Sequence, residues 1–238
     1  MRAWSRQDNS LQTPTYTLIM HKLDPAHTHF FLCDVQTRFS SVVYGFDEVV
    51  LTCNKMLKLA KVLGIPVIAT EQNSRVFGPT APGIDLAALA DMHVATIEKS
   101  LFSMMVPEVK ALLGERPHIT SVVLFGVEVS YLSQAVAYAY VSQSHICVLQ
   151  TALDLVQGGY DVYVLADGVS SSNKEEVPIA LAHIRQVGGH VITSESAAFM
   201  LQREAGTPQF RAFAAVIKDE KDNTVKTSQK LLQYRSWL

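Results

Sequence analysis

The chain has 238 residues, of which 48% are apolar and 18% charged. That balance excludes a disordered, collagen-like or low-complexity polymer, and at roughly 100 to 200 residues per domain it predicts one large domain. Twenty Lys and Arg against 22 Asp and Glu leave a formal charge of −2, without the basic surplus that phosphate backbones demand, so a small molecule is the expected partner and nucleic acid is not.

Residues 1–19 carry Arg2, Arg6, several Ser and Thr and a single acid, Asp8. They are expected to be an unstructured extension, with Met20 as a second possible start; the alternative is a mitochondrial targeting segment. No run approaches the roughly 18 to 20 apolar residues of a membrane span, so no membrane partner is expected. From residue 28 onward, short apolar runs alternate with helix-period stretches, the pattern of a parallel sheet covered on both faces. The runs are 30–33, 67–70, 93–96, 122–125, 162–165 and 190–193. Helical stretches fall near 46–63, 105–114, 145–157, 175–187 and 195–204, several closing on glycine, Gly64 among them. The fold class is therefore α/β, a three-layer α/β/α sandwich on a six-stranded, mainly parallel sheet. Residues 216–238 are expected to be a C-terminal tail; over 207–238, Phe210, Phe213, Val216 and Ile217 with charges after Lys218 suggest a short amphipathic helix and then a loose end.

Ligands of such sheets bind beyond the carboxyl ends of the strands. Asp34 ends the first run, Lys99 follows the third, and Cys147 opens the helix after the fourth. A carboxylate, an ammonium and a thiol can thus meet at one mouth. An ammonium and a helix N-terminus favour thiolate, the reactive form, and a carboxylate can take and return its proton. Each residue alone has an ordinary use: a strand-end Asp caps turns, a lone Lys is solvated, and an apolar-flanked Cys is inert core. The three cysteines, Cys33, Cys53 and Cys147, are odd in number and have no CxxC spacing, which argues against a disulfide framework or structural zinc and for a reducing, cytoplasmic setting.

Four segments carry a more specific signal: Phe31-Leu32-Cys33-Asp34-Val35-Gln36, Thr70-Glu71-Gln72, Ile97-Glu98-Lys99-Ser100-Leu101-Phe102-Ser103-Met104, and Ser144-His145-Ile146-Cys147 continuing to Leu155. Over roughly residues 20–215 the chain resembles the isochorismatase-like cysteine hydrolases, most closely the isochorismatase domain-containing branch. The resemblance implies a Rossmann-like fold, homo-oligomers, no cofactor, and an Asp-Lys-Cys triad falling on Asp34, Lys99 and Cys147. It implies attack by Cys147 on a small amide or related C–N substrate, substrate contacts from Gln36 and Glu128, and an apolar pocket lined by Phe39 and Phe102; the alternative use of both aromatics is core. It also implies a cis peptide at Val127–Glu128. Nicotinamidases of this group carry an Asp-x-His metal pair after the second strand. Here the sequence reads Thr70-Glu71-Gln72-Asn73-Ser74, so no metal is expected.

Residues 129–143 depart from the family pattern, in which the Cys follows Gly-Val-Glu almost directly. The fifteen residues contain no charge, Gly or Pro, and a retained intron is the leading explanation, a true insertion the other. If they extend the helix, its start moves about 22 Å from Cys147, and Leu132 takes the nucleophile's position; if they loop out, the family geometry survives. The rival function is accordingly a catalytically silent binding or scaffold protein of the same fold. A dinucleotide-dependent oxidoreductase is disfavoured, since no GxGxxG follows the first strand.

Overall fold

The six apolar runs become six strands: β1 (Thr28–Cys33), β2 (Val67–Gln72), β3 (His93–Lys99), β4 (Ser121–Glu128), β5 (Asp161–Ser171) and β6 (His190–Ile192). This computed structural model describes residues 23–128 and 147–233. The extension 1–19, Met20, the segment 129–143 and the triplet Ser144-His145-Ile146 lie outside the described residues. Around the strands are α1 (Phe46–Leu63), α2 (Ser74–Phe77), α3 (Pro107–Gly114), α4 (Cys147–Gln157), α5 (Val177–Gln186), α6 (Ser194–Gln202), α7 (Phe210–Asp219) and α8 (Lys221–Leu232).

The strands lie in the order β3-β2-β1-β4-β5-β6, and every neighbouring pair is parallel. Burial on both faces explains why β1 and β4 read as continuous apolar runs: all six residues of β1 and all eight of β4 are buried,. Helices α1, α6, α7 and α8 cover one face; α4 and α5 cover the other, with α3 beside α4. Chain order reverses between β1 and β4, which opens a crevice at their carboxyl ends.

Two strands run further than their apolar cores. β3 ends on Lys99 itself, and β5 continues through Asp167 to Ser171 after a register break opposite Leu124 and Gly126. Gly126, at φ +132°, sits where β4 passes the end of β1; a Cβ there would stand 2.2 Å from the Cys33 carbonyl oxygen.

Among the described residues after Lys218, Lys221–Leu232 form a helix where a loose end is expected. α8 packs on α1 and β5, burying Thr227 and Leu231. Lys55 of α1 donates to Thr224 Oγ1 at 3.0 Å, and Lys58 pairs with Glu220. The helix is polar almost all round, so its short apolar stripe leaves little periodic signal. The peptide bond at Val127–Glu128 is trans, there being no cis bond among the described residues.

His29 of β1 is fully buried; its Nδ1–H donates to the Pro66 carbonyl at 3.2 Å and its Nε2 has no partner among the described residues. Burial, with help from the nearby Arg116 and His118, lowers its pKa to about 4. Between the unfolded value near 6.5 and about 4, the unfolded chain binds a proton that the folded chain refuses. The stability this neutral ring supports is present above pH 6.5 and is lost as the pH falls toward 4, about 3 kcal/mol in all. Urea titrations at pH 7 and 4.5 are expected to show that loss, and His29→Leu to flatten it. Pro66 O still accepts from Phe30 N in that variant. An unchanged acid slope would place the titrating group elsewhere.

Candidate active site

Asp34 stands one residue beyond β1, held at φ 49°, a left-handed conformation that costs about 1 kcal/mol or more for a residue with a Cβ. The turn aims its carboxylate across the sheet ends toward β2 and β3. Oδ1 accepts from Thr70 Oγ1 at 2.7 Å, and Oδ2 accepts from Lys99 Nζ at 2.7 Å. Both side chains of this ion pair are completely buried.

Lys99 is bound on every side. Besides Asp34, its ammonium donates to Gln72 Oε1 at 2.7 Å and to the carbonyls of Phe102 at 2.9 Å and Leu101 at 3.2 Å. Burial alone would lower its pKa; the charge of Asp34, the thiols of Cys147 and Cys33 and the hydrogen bond to Asp34 outweigh it and raise it. Lys99 is therefore a permanent cation whose charge reaches both sulfurs.

Cys147 opens α4 and is fully buried. Its thiol contacts that of Cys33, the residue before Asp34. Burial, the Cys147 contact and the Asp34 charge push the Cys33 thiol well above the ordinary range, so Cys33 stays protonated. Glu128, the last residue of β4, accepts from Leu149 N at 2.9 Å. Glu128 thereby ties the end of β4 to α4 two residues beyond Cys147, and the Cys147 sulfur lies near enough to Lys99 for the two to interact.

Thr151, one turn on, fixes α4 to the lysine loop: its hydroxyl donates to Cys147 O at 2.6 Å and accepts from Met104 N at 2.9 Å. The side chains of Thr70, Gln72, Thr151 and Cys33 escape the sequence reading because their roles are defined by partners on other elements. For Thr70 and Gln72 the available signal was their period-two spacing at the end of β2.

The residues expected to touch substrate make the following contacts within the chain. Gln36 is buried, and its amide donates to Gln72 O at 3.1 Å and Gly78 O at 2.6 Å while its Oε1 accepts from Gln72 N at 2.8 Å. It holds the strand end that carries Gln72, so its contact is with the chain. Phe39 is buried against Phe77, centroids 4.9 Å apart. Phe102 is half-buried on the core and its carbonyl serves Lys99. Glu128 binds the start of α4. Glu71 accepts from Thr80 N and Oγ1 at 2.6 and 2.7 Å, and among the described residues no group of three or more His, Cys, Asp or Glu forms a metal-ligand cluster.

An all-parallel, Rossmann-ordered sheet with a buried carboxylate–ammonium pair and a thiol at its switch point defines a Rossmann-like α/β protein with an acid–lysine–thiol site. The isochorismatase domain profile matches residues 28–140 and 142–196, two pieces that meet within 129–143. The chain belongs to the isochorismatase family, a family of hydrolases. It is 37% identical over 199 residues to the secreted isochorismatase effector Isc1 of Phytophthora sojae, covering 83% of this chain and 88% of that protein. With isochorismatase domain-containing protein 1 of Danio rerio it shares 35% identity over 196 residues, 82% of this chain and 62% of that one. Among solved structures, the MAR1 ribonuclease from Caenorhabditis elegans matches with a TM-score of 0.69 at 28% identity over 83% of this chain and 93% of that chain. The YcaC gene product from Escherichia coli, described as an octameric hydrolase of unknown specificity, shares the fold with a TM-score of 0.69 at 19% identity, covering 87% and 95%.

Proposed function

We propose that this protein is a cysteine hydrolase acting on a small amide or related C–N substrate. The observation supporting this most directly is the buried Asp34–Lys99 pair at 2.7 Å with Cys147 alongside. In this reading the Asp34 carboxylate takes the thiol proton, the Cys147 thiolate attacks the carbonyl carbon, and the Lys99 ammonium stabilises the thiolate. The C–N bond then breaks, the amine leaves with the proton held by Asp34, and water cleaves the thioester while Asp34 takes its proton in turn. First-turn amides of α4 supply donors for the oxyanion.

Complete burial of Cys147 favours the rival reading, a silent scaffold of the same fold. The two separate cleanly. In the hydrolase, iodoacetamide labels native Cys147 at pH 7 and Cys147→Ser loses at least about a hundredfold in turnover on a panel of small amides. Labelling only after denaturation, with no turnover, supports the scaffold. A short RNA belongs on the same panel because the nematode structural relative is a ribonuclease, although a chain of charge −2 gives a polyanion little attraction.

The proposal extends to a cytoplasmic, homo-oligomeric protein. Free cysteines support the former, and the octameric assembly described for the bacterial fold relative the latter. A retained intron remains our reading of 129–143, and sequencing the transcript across Glu128–Ser144 tests it.

A further inference from the structure

On the face of the sheet away from α4, helices α1, α6, α7 and α8 enclose a cavity of about 430 Å³, a size typical of small-ligand sites. Its walls are Phe199, Phe210, Phe213, Ile217 and Val225. Half of the surface of Phe199 and of Val225 remains open to solvent.

The polar part of this cavity is unusual. Lys55 lines it and is 2% exposed, yet among the described residues its ammonium has one hydrogen-bond partner, the neutral Thr224 hydroxyl, and no ion pair. The acids whose charges act on it, Asp167, Glu195 and Glu220, make no ion pair with it among the described residues. Asp167 gives Oδ1 to Ser194 N and Oδ2 to Ser194 Oγ. Glu220 gives its oxygens to Lys58 and Asn223. Glu195 lies exposed on the cavity's edge with Lys218 and Lys221. Three lysines against one glutamate leave the lining positive. A buried ammonium whose one protein partner is a neutral hydroxyl is costly until an anion joins it,.

We propose that this cavity binds a small amphipathic carboxylate, such as a medium-chain fatty acid, with its carboxylate on Lys55 Nζ and its tail against Phe199, Phe213 and Ile217. The site lies apart from the Asp34–Lys99–Cys147 mouth and stands whether or not that mouth is active.

Calorimetric titration of the full chain with decanoate, and with decan-1-ol as an uncharged control, tests the assignment. Decanoate is expected to bind saturably and at least about tenfold more tightly than the alcohol. Lys55→Met should remove that preference while leaving alcohol binding. Ala214→Leu, which narrows the groove without touching Lys55, should weaken both ligands in a protein whose far-UV spectrum is unchanged, and so serves if Lys55→Met does not fold. No decanoate binding by the wild type, equal affinity for acid and alcohol, or decanoate affinity unchanged in Lys55→Met would overturn the proposal. A change of assembly state in Ala214→Leu, read by sedimentation, would also overturn it by making the groove a seam between copies of the chain.

Discussion

Lys99→Met is expected to cost about 3 to 5 kcal/mol of folding stability, the usual consequence of removing one partner from a buried ion pair. The ammonium serves four acceptors, Asp34 Oδ2, Gln72 Oε1 and the carbonyls of Leu101 and Phe102. Its loss leaves a charged carboxylate in a dry site with a single hydroxyl for company. Asp34→Asn should be destabilising too, and the double variant less so than the two effects added together, because each single change strands the other's charge. Chemical denaturation of all four proteins measures this coupling. A Lys99→Met protein within about 1 kcal/mol of wild type would mean that the pair is solvated, contrary to its complete burial here. The pH dependence has a definite sign. Because the folded-state pKa of Lys99 is raised, its contribution is fully present below the unfolded value near 10.5 and fades only as the pH climbs through the higher folded value.

Gly126→Ala is expected to destabilise by about 3 kcal/mol or more. The added methyl would meet the Cys33 carbonyl oxygen at 2.2 Å and the Cys33 nitrogen at 2.7 Å, both backbone atoms, at a φ of +132° that side chains avoid,. Separating the strands there displaces the residue whose sulfur touches Cys147 and whose neighbour is Asp34. Activity, where present, should therefore fall further than the folded fraction does. Gly114→Ala is the control: nothing lies within 4 Å of its added methyl, and at the end of α3 it should be neutral or mildly stabilising. Equal behaviour of the two variants would remove the close-packing argument.

The four inner strands, β1, β2, β4 and β5, were legible because doubly buried parallel strands have no alternation to blur, while the edge strands β3 and β6 are only partly buried,. Their apolar cores stand out between polar stretches, and all six are where the runs predict. Asp34, Lys99 and Cys147 were legible through their flanking motifs, and the structure brings the three together. What stayed hidden depends on partners distant in sequence. The sequence did not show that the Gln36 amide bonds the end of β2 and Gly78, 36 and 42 residues away. Phe39 had core as its alternative use, and it is buried against Phe77. α8 looked loose because a helix that buries little more than Thr227 and Leu231 has almost no apolar face to announce it. Lys55 resembled any other helical lysine until α8 closed over it.

The contact between Glu128 and Leu149 spans 21 residues of chain, yet it joins the end of β4 directly to the opening of α4. That clasp fixes the two stems of whatever runs between them. Lengthening such an excursion roughly threefold adds only about 1 kcal/mol of closure entropy. Through that clasp the sulfur's position on α4 is tied to the end of β4, however many residues stand between them in the chain.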